Sequence, residues 1–339
     1  YIETEWDQEK DQTTGIEFKK YLNHQTFDLS ANIQLNDFFT QTQWWPRLDH
    51  HLLGHSLFND RVTWNAHSHV GYAKISNATA PVDPANAAKF DWLAWEEFNT
   101  PATQDDREGI RAATRHEFDL PLDVGPVRIV PYVLGEAAYW GEDLAGDDDT
   151  RLYGQTGVRA SLPMWNVDPT VKSSLFNLNG LAHKITLEGE LLYADADRDM
   201  TSLPLYDPLD DDSIEFFRRR VLFDTFGLAA GANAPLRFDE RFYAHRFGLQ
   251  GWVTSPSTEI ADDLTLAKMA VRQRWQTKRG MPGRERIVDW IVFDVEGSFF
   301  PDANRDNFGQ DVGMLNYDFR WHLGDRLALL SDGYADLFT

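Results

Sequence analysis

The chain alternates apolar and polar residues with a period of two, over stretches long enough to cross a bilayer as a β-strand. In residues 27–36, Phe27 and Leu29 alternate with the polar residues Asp28 and Asn32. Successive side chains of a strand point to opposite faces, so this stretch has one apolar face and one polar face. Its length matches the roughly 9–11 residues of a tilted transmembrane strand.

The same alternation recurs along the chain and predicts roughly 12 to 14 strands. It is clearest in residues 62–72, 110–120, 184–193, 291–296 and 315–323. Further strands are predicted at residues 15–24, 127–140, 151–162, 237–253, 264–276 and 326–338. Residues 84–98 and 213–226 fit either a strand or a short helix in a loop.

Two all-β architectures give such alternation, a soluble β-sandwich and a membrane barrel. The predicted strands are longer than the roughly 5–6 residues usual in soluble sheets. Their polar positions carry several charges each, which suits a wet lumen better than a packed interior. Aromatic residues collect near strand ends, as an interfacial girdle requires; they are Tyr139, Trp140, Trp275, Phe299, Phe300 and Trp321. We therefore predict a single domain over residues 1–339, a transmembrane antiparallel outer-membrane β-barrel or a large part of one.

Composition excludes several other classes of protein. The net charge of −22 argues against a nucleic-acid partner, because phosphate backbones are bound by lysine and arginine. With no cysteine, the chain has no disulfide, thiolate nucleophile or cysteine-ligated zinc. No apolar run approaches the roughly 20 residues of a membrane helix. Because the chain starts at Tyr1 without methionine, we expect a mature or trimmed segment.

The predicted connections are of two kinds, as in outer-membrane barrels, whose periplasmic turns are short and outer loops long. Residues 123–126 and 324–325 form tight turns, whereas residues 142–150, 195–212 and 301–311 form longer acidic loops. If the two tight turns are periplasmic and residues 213–226 form a strand, counting strands places these loops on the outer side and the basic connection 277–286 on the periplasmic side. Residues 36–59 are predicted as a long loop that fits this scheme poorly.

Acidic outer loops have one possible use and one simpler explanation. Their carboxylates offer the oxygen ligands that Ca²⁺ and Mg²⁺ prefer, and such cations bridge to anionic lipid phosphates. The simpler explanation is that the loops are solvated and keep the exterior soluble. The acidic residues in question are Asp147, Asp148, Asp149, Asp210, Asp211 and Asp212.

The polar strand positions predict the lining of a lumen, without a cofactor. The lumen-facing residues predicted are Asp28, Asn32, Glu188, Glu190, Asp294, Glu296, Asp318 and Arg320. The histidines His50, His51, His55, His67 and His69 are close in sequence, but no carboxylate stands at a familiar metal-ligand spacing beside them. His67 and His69 are therefore interpreted as lumen-facing polar residues and no metal site is predicted.

The sequence also predicts that the protein is not an enzyme. Ser68 lies between His67 and His69 but points to the opposite face of the strand, so it forms no serine–histidine pair with them. There is no Gly-x-Ser-x-Gly elbow and no glycine-rich phosphate loop.

Several phrases in order resemble the outer-membrane lipopolysaccharide-assembly family LptD, also called the organic-solvent-tolerance family, in divergent planctomycete-like members. They are NDFFTQTQWWPRLD at 36–49, RHEFDLP at 115–121 with VPYV at 130–133, GLAHKI at 180–185, and RQRWQTKRG at 272–280 followed by DW at 289–290 and FFPD at 299–302. Together these phrases span most of the chain.

The resemblance implies a large barrel that receives lipopolysaccharide from periplasmic bridge proteins and releases it into the outer leaflet. It implies a lipoprotein plug inside the barrel, a lateral seam between the first and last strands, and a preceding periplasmic jelly-roll domain. The chain departs from the family in lacking cysteine, in having about half the strands, and in showing no evident jelly-roll, so we expect a partial chain or a smaller barrel.

Two functions follow as expectations. The first is a non-enzymatic outer-membrane translocon that inserts lipopolysaccharide, with outer-membrane lipid, lipopolysaccharide, a lipoprotein plug and bridge proteins as partners. The alternative is a general diffusion porin or a structural outer-membrane barrel, in which the lumen charges set ion selectivity. Nothing in the sequence predicts a bound nucleotide.

Overall fold

The computed structural model shows an all-β chain whose strands form one antiparallel sheet, which confirms the predicted fold class at that level. The structure describes residues 14–35, 41–76, 107–204, 206, 237, 240–248, 250, 253, 258–281, 283–324 and 326–337. No helix among them is both long enough and apolar enough to cross a membrane.

The sheet contains thirteen strands. In chain order they are β1 (Thr14–Leu22), β2 (Gln25–Ile33), β3 (Gln41–Leu57), β4 (Val62–Ser76), β5 (Glu108–Asp119), β6 (Leu122–Val124), β7 (Val127–Trp140), β8 (Asp149–Ser173), β9 (Leu178–Ala196), β10 (Leu264–Arg279), β11 (Arg286–Phe299), β12 (Val312–His322) and β13 (Ala328–Asp336). The helices are α1 (Glu240–Arg246) and α2 (Ala303–Asp306), with short 3₁₀ turns at Met200–Ser202 and Thr258–Ile260.

Each strand pairs with its neighbours in sequence, so the sheet is a simple meander. β5 and β6 both pair with β7 and act as one interrupted strand, because the Leu120 N–H between them donates to the Pro131 carbonyl at 2.9 Å. Among the described strands, β1 and β13 each pair on one side only. The predicted number of strands agrees with this sheet.

The meander separates short and long connections to opposite ends of the sheet, because consecutive antiparallel strands reverse direction. We call the end with the shorter turns the turn end; its connections are residues 23–24, 58–61, 125–126, 174–177, 280–285 and 323–327. We call the other end the loop end; its connections are residues 34–40, 77–107, 141–148, 197–263 and 300–311. The three predicted acidic loops thus share the loop end, and the basic connection 277–286 lies at the turn end. Which end faces outward stays a prediction.

Two predicted elements are wrong. Residues 36–59 were expected to form a long loop, but β3 occupies most of them. The register against β4 shifts between Trp44 and Arg47 and again between Leu52 and His55. Such bulges insert an extra residue, which breaks the alternation by which strands are recognised.

The second wrong element is the strand predicted over residues 237–253, which instead contains α1. Arg241, Ala244 and Phe247 are buried there, with the three-residue spacing of one helical face. The ambiguous segments 84–98 and 213–226 lie outside the described residues.

Strand bounds differ elsewhere by smaller amounts. β8 begins at Asp149 and extends to Ser173, and β9 extends over Leu178–Ala196, so both are longer than predicted. Asp149 and Thr150 are therefore strand residues and not part of the acidic loop. Likewise, residues 277–279 belong to β10 and Arg286 to β11.

Gly157 of β8 provides a test of this register. A Cβ there would lie 2.5 Å from the Leu191 carbonyl oxygen and 2.7 Å from the Tyr132 ring. We expect Gly157→Ala to destabilise the protein by about 1–3 kcal/mol through overpacking, measured by urea unfolding in detergent. Gly154 of the same strand has open space at its Cβ position. Gly154→Ala should leave stability unchanged or raise it by up to about 1 kcal/mol; equal losses in both variants would contradict the register.

Candidate functional site

The two faces of the sheet have the reverse of the polarity found in water-soluble sheets. On β5, Arg111 and Arg115 are fully buried at 0% exposure, whereas Ile110 on the opposite face is 52% exposed. On β8, Arg151 is 0% exposed and its neighbour Leu152 is 63% exposed. We call the face that carries these arginines the charged face, and the face that carries Ile110 and Leu152 the apolar face.

Glu136 is the centre of the buried charge on this face. The Arg115 Nε donates to its Oε2 at 2.8 Å and an Arg151 guanidinium nitrogen donates to its Oε1 at 2.5 Å. The guanidinium of Arg111 lies 3.9 Å from the Trp140 ring centroid, within cation–π range. Because buried charges persist only when paired, β5, β7 and β8 are fixed against each other by this group.

A second group lies closer to the turn end and centres on Arg159. Its guanidinium donates to Glu117 at 2.6 Å and to Glu190 at 3.0 Å, and it lies 3.8 Å from the Tyr132 ring centroid. The Tyr132 hydroxyl donates to the same Glu190 oxygen at 2.8 Å. The arrangement gives each carboxylate an identified donor, so this part of the face is preorganised.

The described part of the long connection between β9 and β10 lies on the charged face near the loop end. Glu259 accepts from the Arg111 Nε at 3.0 Å, and the Val253 N–H donates to Glu117 Oε2 at 3.0 Å. The Ala261 carbonyl accepts from Arg151 at 3.1 Å. The described part of this connection is therefore held by the same charged side chains that line the sheet.

Apolar contacts hold the same connection. Val253 and Ala261 belong to one buried cluster together with Tyr153, Leu192 and Phe300. Beside them, burial raises the pKa of the Asp262 carboxyl above its ordinary value, while N–H groups of Asp263 and Met200 oppose that shift. The loop end of the charged face thus has a packed core as well as ion pairs.

The predicted lumen residues all lie on the charged face, as their cross-strand pairing shows. Glu190 pairs with Arg159, Asp294 with Arg272 and Asp318, and Asp28 with Asp49. Their ion pairs are Lys19–Asp28, Arg159–Glu190, Arg272–Glu188, Arg272–Glu296, Arg274–Asp294 and Arg320–Asp318. Asn32 has a different use, because its Oδ1 accepts the Trp44 N–H at 2.7 Å where the β2–β3 register shifts. That these residues line a lumen stays a prediction.

The structure describes three of the six acidic loop residues named above. Asp147 and Asp148 are exposed in the connection after β7, where the Asp143 carboxylate accepts the Asp147 N–H at 3.0 Å. Asp149 is the first residue of β8 and pairs with Arg198 at 3.1 Å. Residues Asp210, Asp211 and Asp212 lie outside the described part of the chain.

The histidines divide between the two faces. His67 and His69 lie on the charged face, whereas Ser68 points the other way and lies 2.7 Å from the Thr114 hydroxyl. The sequence shows no carboxylate at a familiar metal-ligand spacing from these histidines, but Asp49 of β3 lies on the same face, with its Oδ1 2.8 Å from His67 Nε2. Sequence spacing misses this neighbour because it belongs to the adjacent strand.

The sequence reasoning also missed Glu136, Arg151 and Arg159. A signal existed, because they occupy alternate positions in the predicted strands 127–140 and 151–162. Trp140 and Phe300 are fully buried, so the prediction that they belong to an interfacial aromatic girdle is wrong.

No family model matches the chain, and a search of curated proteins finds no significant match. The geometry described above therefore has to carry the functional argument.

Glu136 allows the contribution of the buried charges to be measured. We expect Glu136→Gln to destabilise the protein by about 3–5 kcal/mol, because Arg115 and Arg151 would stay buried without their carboxylate. The measurement is urea unfolding in detergent, with Asp318→Asn as control. Asp318 and Arg320 form an exposed pair, with side chains 35% and 57% accessible, so its loss should change stability by at most about 1 kcal/mol. If Glu136→Gln and Asp318→Asn both changed the free energy of unfolding by at most about 1 kcal/mol, the ion pairs of Glu136 would contribute little to stability.

Proposed function

We propose that this chain forms the membrane-spanning wall of an outer-membrane protein, and that it serves the insertion of lipopolysaccharide into the outer leaflet. The observation that carries the proposal is the reversed polarity of the sheet. A face that buries arginine and glutamate, opposite a face that exposes leucine and valine, is suited to separating water or a polar headgroup from lipid.

The extent of the apolar face supports contact with lipid. Leu152, Leu191 and Met269 are 63%, 57% and 70% exposed and lie on strands that follow one another across the sheet. A soluble monomer seldom exposes more than a few hundred Å² of contiguous apolar surface. Strands such as β5 with 12 residues and β7 with 14 residues exceed the roughly 9–11 needed to cross the hydrocarbon layer.

Most aromatic residues on the apolar face of the described strands lie near one end of the sheet or the other, in two bands, and Phe293, Phe319 and Tyr317 lie between the bands. The band near the turn end consists of Trp64, Phe118, Trp275 and Trp321, and the band near the loop end consists of Tyr72, Tyr139, Tyr193 and Phe299. At about 3.4 Å per residue, the stretch of β4 between Trp64 and Tyr72 is about 27 Å long before strand tilt is considered. This is close to the roughly 25 Å apolar band between the aromatic girdles of outer-membrane proteins.

The charged face supports passage of a charged glycan in preference to a neutral solute. Arg128, Arg159, Lys268 and Arg272 surround an open depression between β7 and β11, among acidic neighbours such as Glu188. Guanidinium and ammonium groups bind phosphate, and carboxylates accept hydrogen bonds from sugar hydroxyls. The resemblance of several sequence phrases to the lipopolysaccharide-assembly family points to the same ligand.

A diffusion porin is the second candidate, since rows of opposed charges also suit a water-filled channel. The described part of the β9–β10 connection favours the first candidate, because it lies on the charged face where a porin needs open water. In planar bilayers we therefore expect the protein alone to give little steady conductance. A steady open channel would support the porin.

Depletion of the protein in its native bacterium tests the proposed function. We expect less lipopolysaccharide at the cell surface, measured by labelling of intact cells. Restoring the wild-type gene should recover the signal. An unchanged surface signal after depletion would reject the function.

Two arginine variants test whether the apolar face contacts lipid when the protein performs this function. Leu187→Arg should fail to restore the signal, because Leu187 lies midway along β9 between Tyr193 and the partner of Trp275, His183, and arginine facing lipid near the bilayer centre costs about 2–4 kcal/mol. Asn316→Arg adds the same side chain on the charged face, opposite Glu296 and outside the depression between β7 and β11, and should restore it. Recovery by both variants would contradict contact of the apolar face with lipid.

A further inference from the structure

Asp49, His51 and His67 form a compact donor cluster on the charged face, between β3 and β4. One potential ligand atom from each residue lies within 4.8 Å of the other two. Asp49 Oδ1 is 2.8 Å from His67 Nε2, and the His51 and His67 rings are stacked with centroids 4.1 Å apart. Asp49 and His67 are both 8% exposed, and His51 is partly buried, so the cluster opens to solvent on the His51 side.

The cross-strand register produces this cluster. His51 pairs directly with His67, and Asp49 pairs with His69, in a part of the β3–β4 ladder that has no register shift. Directly paired residues of an antiparallel sheet present their side chains on the same face, with Cβ atoms about 4.5–5.5 Å apart. The strands therefore hold the three donors together without help from a flexible loop.

A fourth potential donor lies next to them. His69 is 4% exposed, and neither of its ring nitrogens has a hydrogen-bond partner among the described residues. Its ring centroid is 5.5 Å from that of His67. A buried imidazole normally satisfies at least one nitrogen, so an unpartnered one beside three donors points to a missing ligand.

We propose that Asp49, His51 and His67 bind one divalent first-row transition metal ion of the zinc class, with His69 as the nearest further donor. Two imidazole nitrogens and one carboxylate oxygen are a donor set that Zn²⁺ and its neighbours accept. Tetrahedral ligands at about 2.1 Å from the ion are about 3.4 Å apart. Asp49 Oδ1 and His67 Nε2, now 2.8 Å apart, must therefore separate slightly, while wider separations within the cluster must shorten. The ion would tie β3 to β4. This site is independent of any role in lipid transport.

The Arg47 guanidinium would compete with a bound ion for the Asp49 carboxylate, so a variant without Arg47 tests the proposed site. The guanidinium donates to Asp49 Oδ2 at 2.6 Å and to Asp49 Oδ1 at 2.9 Å. An incoming cation must share this carboxylate with the guanidinium and sit beside a like charge. Removing Arg47 should therefore tighten metal binding, which is the opposite of what loss of a merely structural contact would do.

The test is titration of the full chain in detergent, after chelator treatment, with Zn²⁺ by calorimetry and with Co²⁺ by visible absorption. We expect one equivalent to bind, with Co²⁺ absorption typical of low-coordinate nitrogen and oxygen ligands. His51→Ala should weaken binding at least tenfold, and Arg47→Gln should strengthen it. Zn²⁺ should also raise the melting temperature of the wild type more than that of His51→Ala.

His50→Ala is the matched control, because His50 is the neighbouring histidine but lies on the apolar face, stacked on Phe27 at 4.6 Å. The His50→Ala variant should bind Zn²⁺ with the affinity of the wild type. The circular dichroism spectra of His50→Ala and His51→Ala should both match that of the wild type. The proposal is overturned if the wild type binds no Zn²⁺, if His51→Ala binds as tightly as the wild type, or if His50→Ala weakens binding equally.

Discussion

The burial of paired arginine and glutamate on one face of the sheet is the constraint on which the rest of the structure depends. Glu136 lies between Arg115 and Arg151, and all three are at least nine-tenths buried. Such charges must be paired where they are desolvated, so the strands that carry them have little freedom of register. Because side chains alternate along a strand, fixing this face also fixes which residues are left on the other one.

The exposure of apolar side chains on the opposite face follows from the burial of these charges. With the charged residues on one face, the leucine, valine and tyrosine side chains between them are exposed on the other face, across the width of the sheet. Exposed apolar surface of this extent requires lipid or another apolar partner to cover it. The β9–β10 connection adds a second consequence, since it uses the same arginines, Arg111 and Arg151, as its attachment points. The sheet and the described part of this connection are thus held together by the same charged side chains.

The alternation of residues predicted most strands well, and for β7 it gave both ends. It failed for β3, where register shifts around Trp44 and Leu52 interrupt the period of two. It also failed for α1, whose short run has too little sequence for the helical period to show. The sequence predicted the site less well than the strands. The contacts of Glu136 with Arg115 and Arg151, and of Asp49 with His67, are made between different strands. Spacing along one chain carries no information about such pairs until the register is known.

The central claim is that the apolar face contacts lipid while the charged face contacts water. Since the chain has no cysteine, single cysteines can carry a nitroxide label without background. The measurement is the accessibility of such labels, in lipid vesicles, to oxygen and to a water-soluble nickel complex. We predict that a label at Leu187→Cys, on the apolar face, responds mainly to oxygen, and that one at the next residue of β9, Glu188→Cys, responds mainly to the nickel complex. Equal access of the nickel complex to both positions would contradict the account.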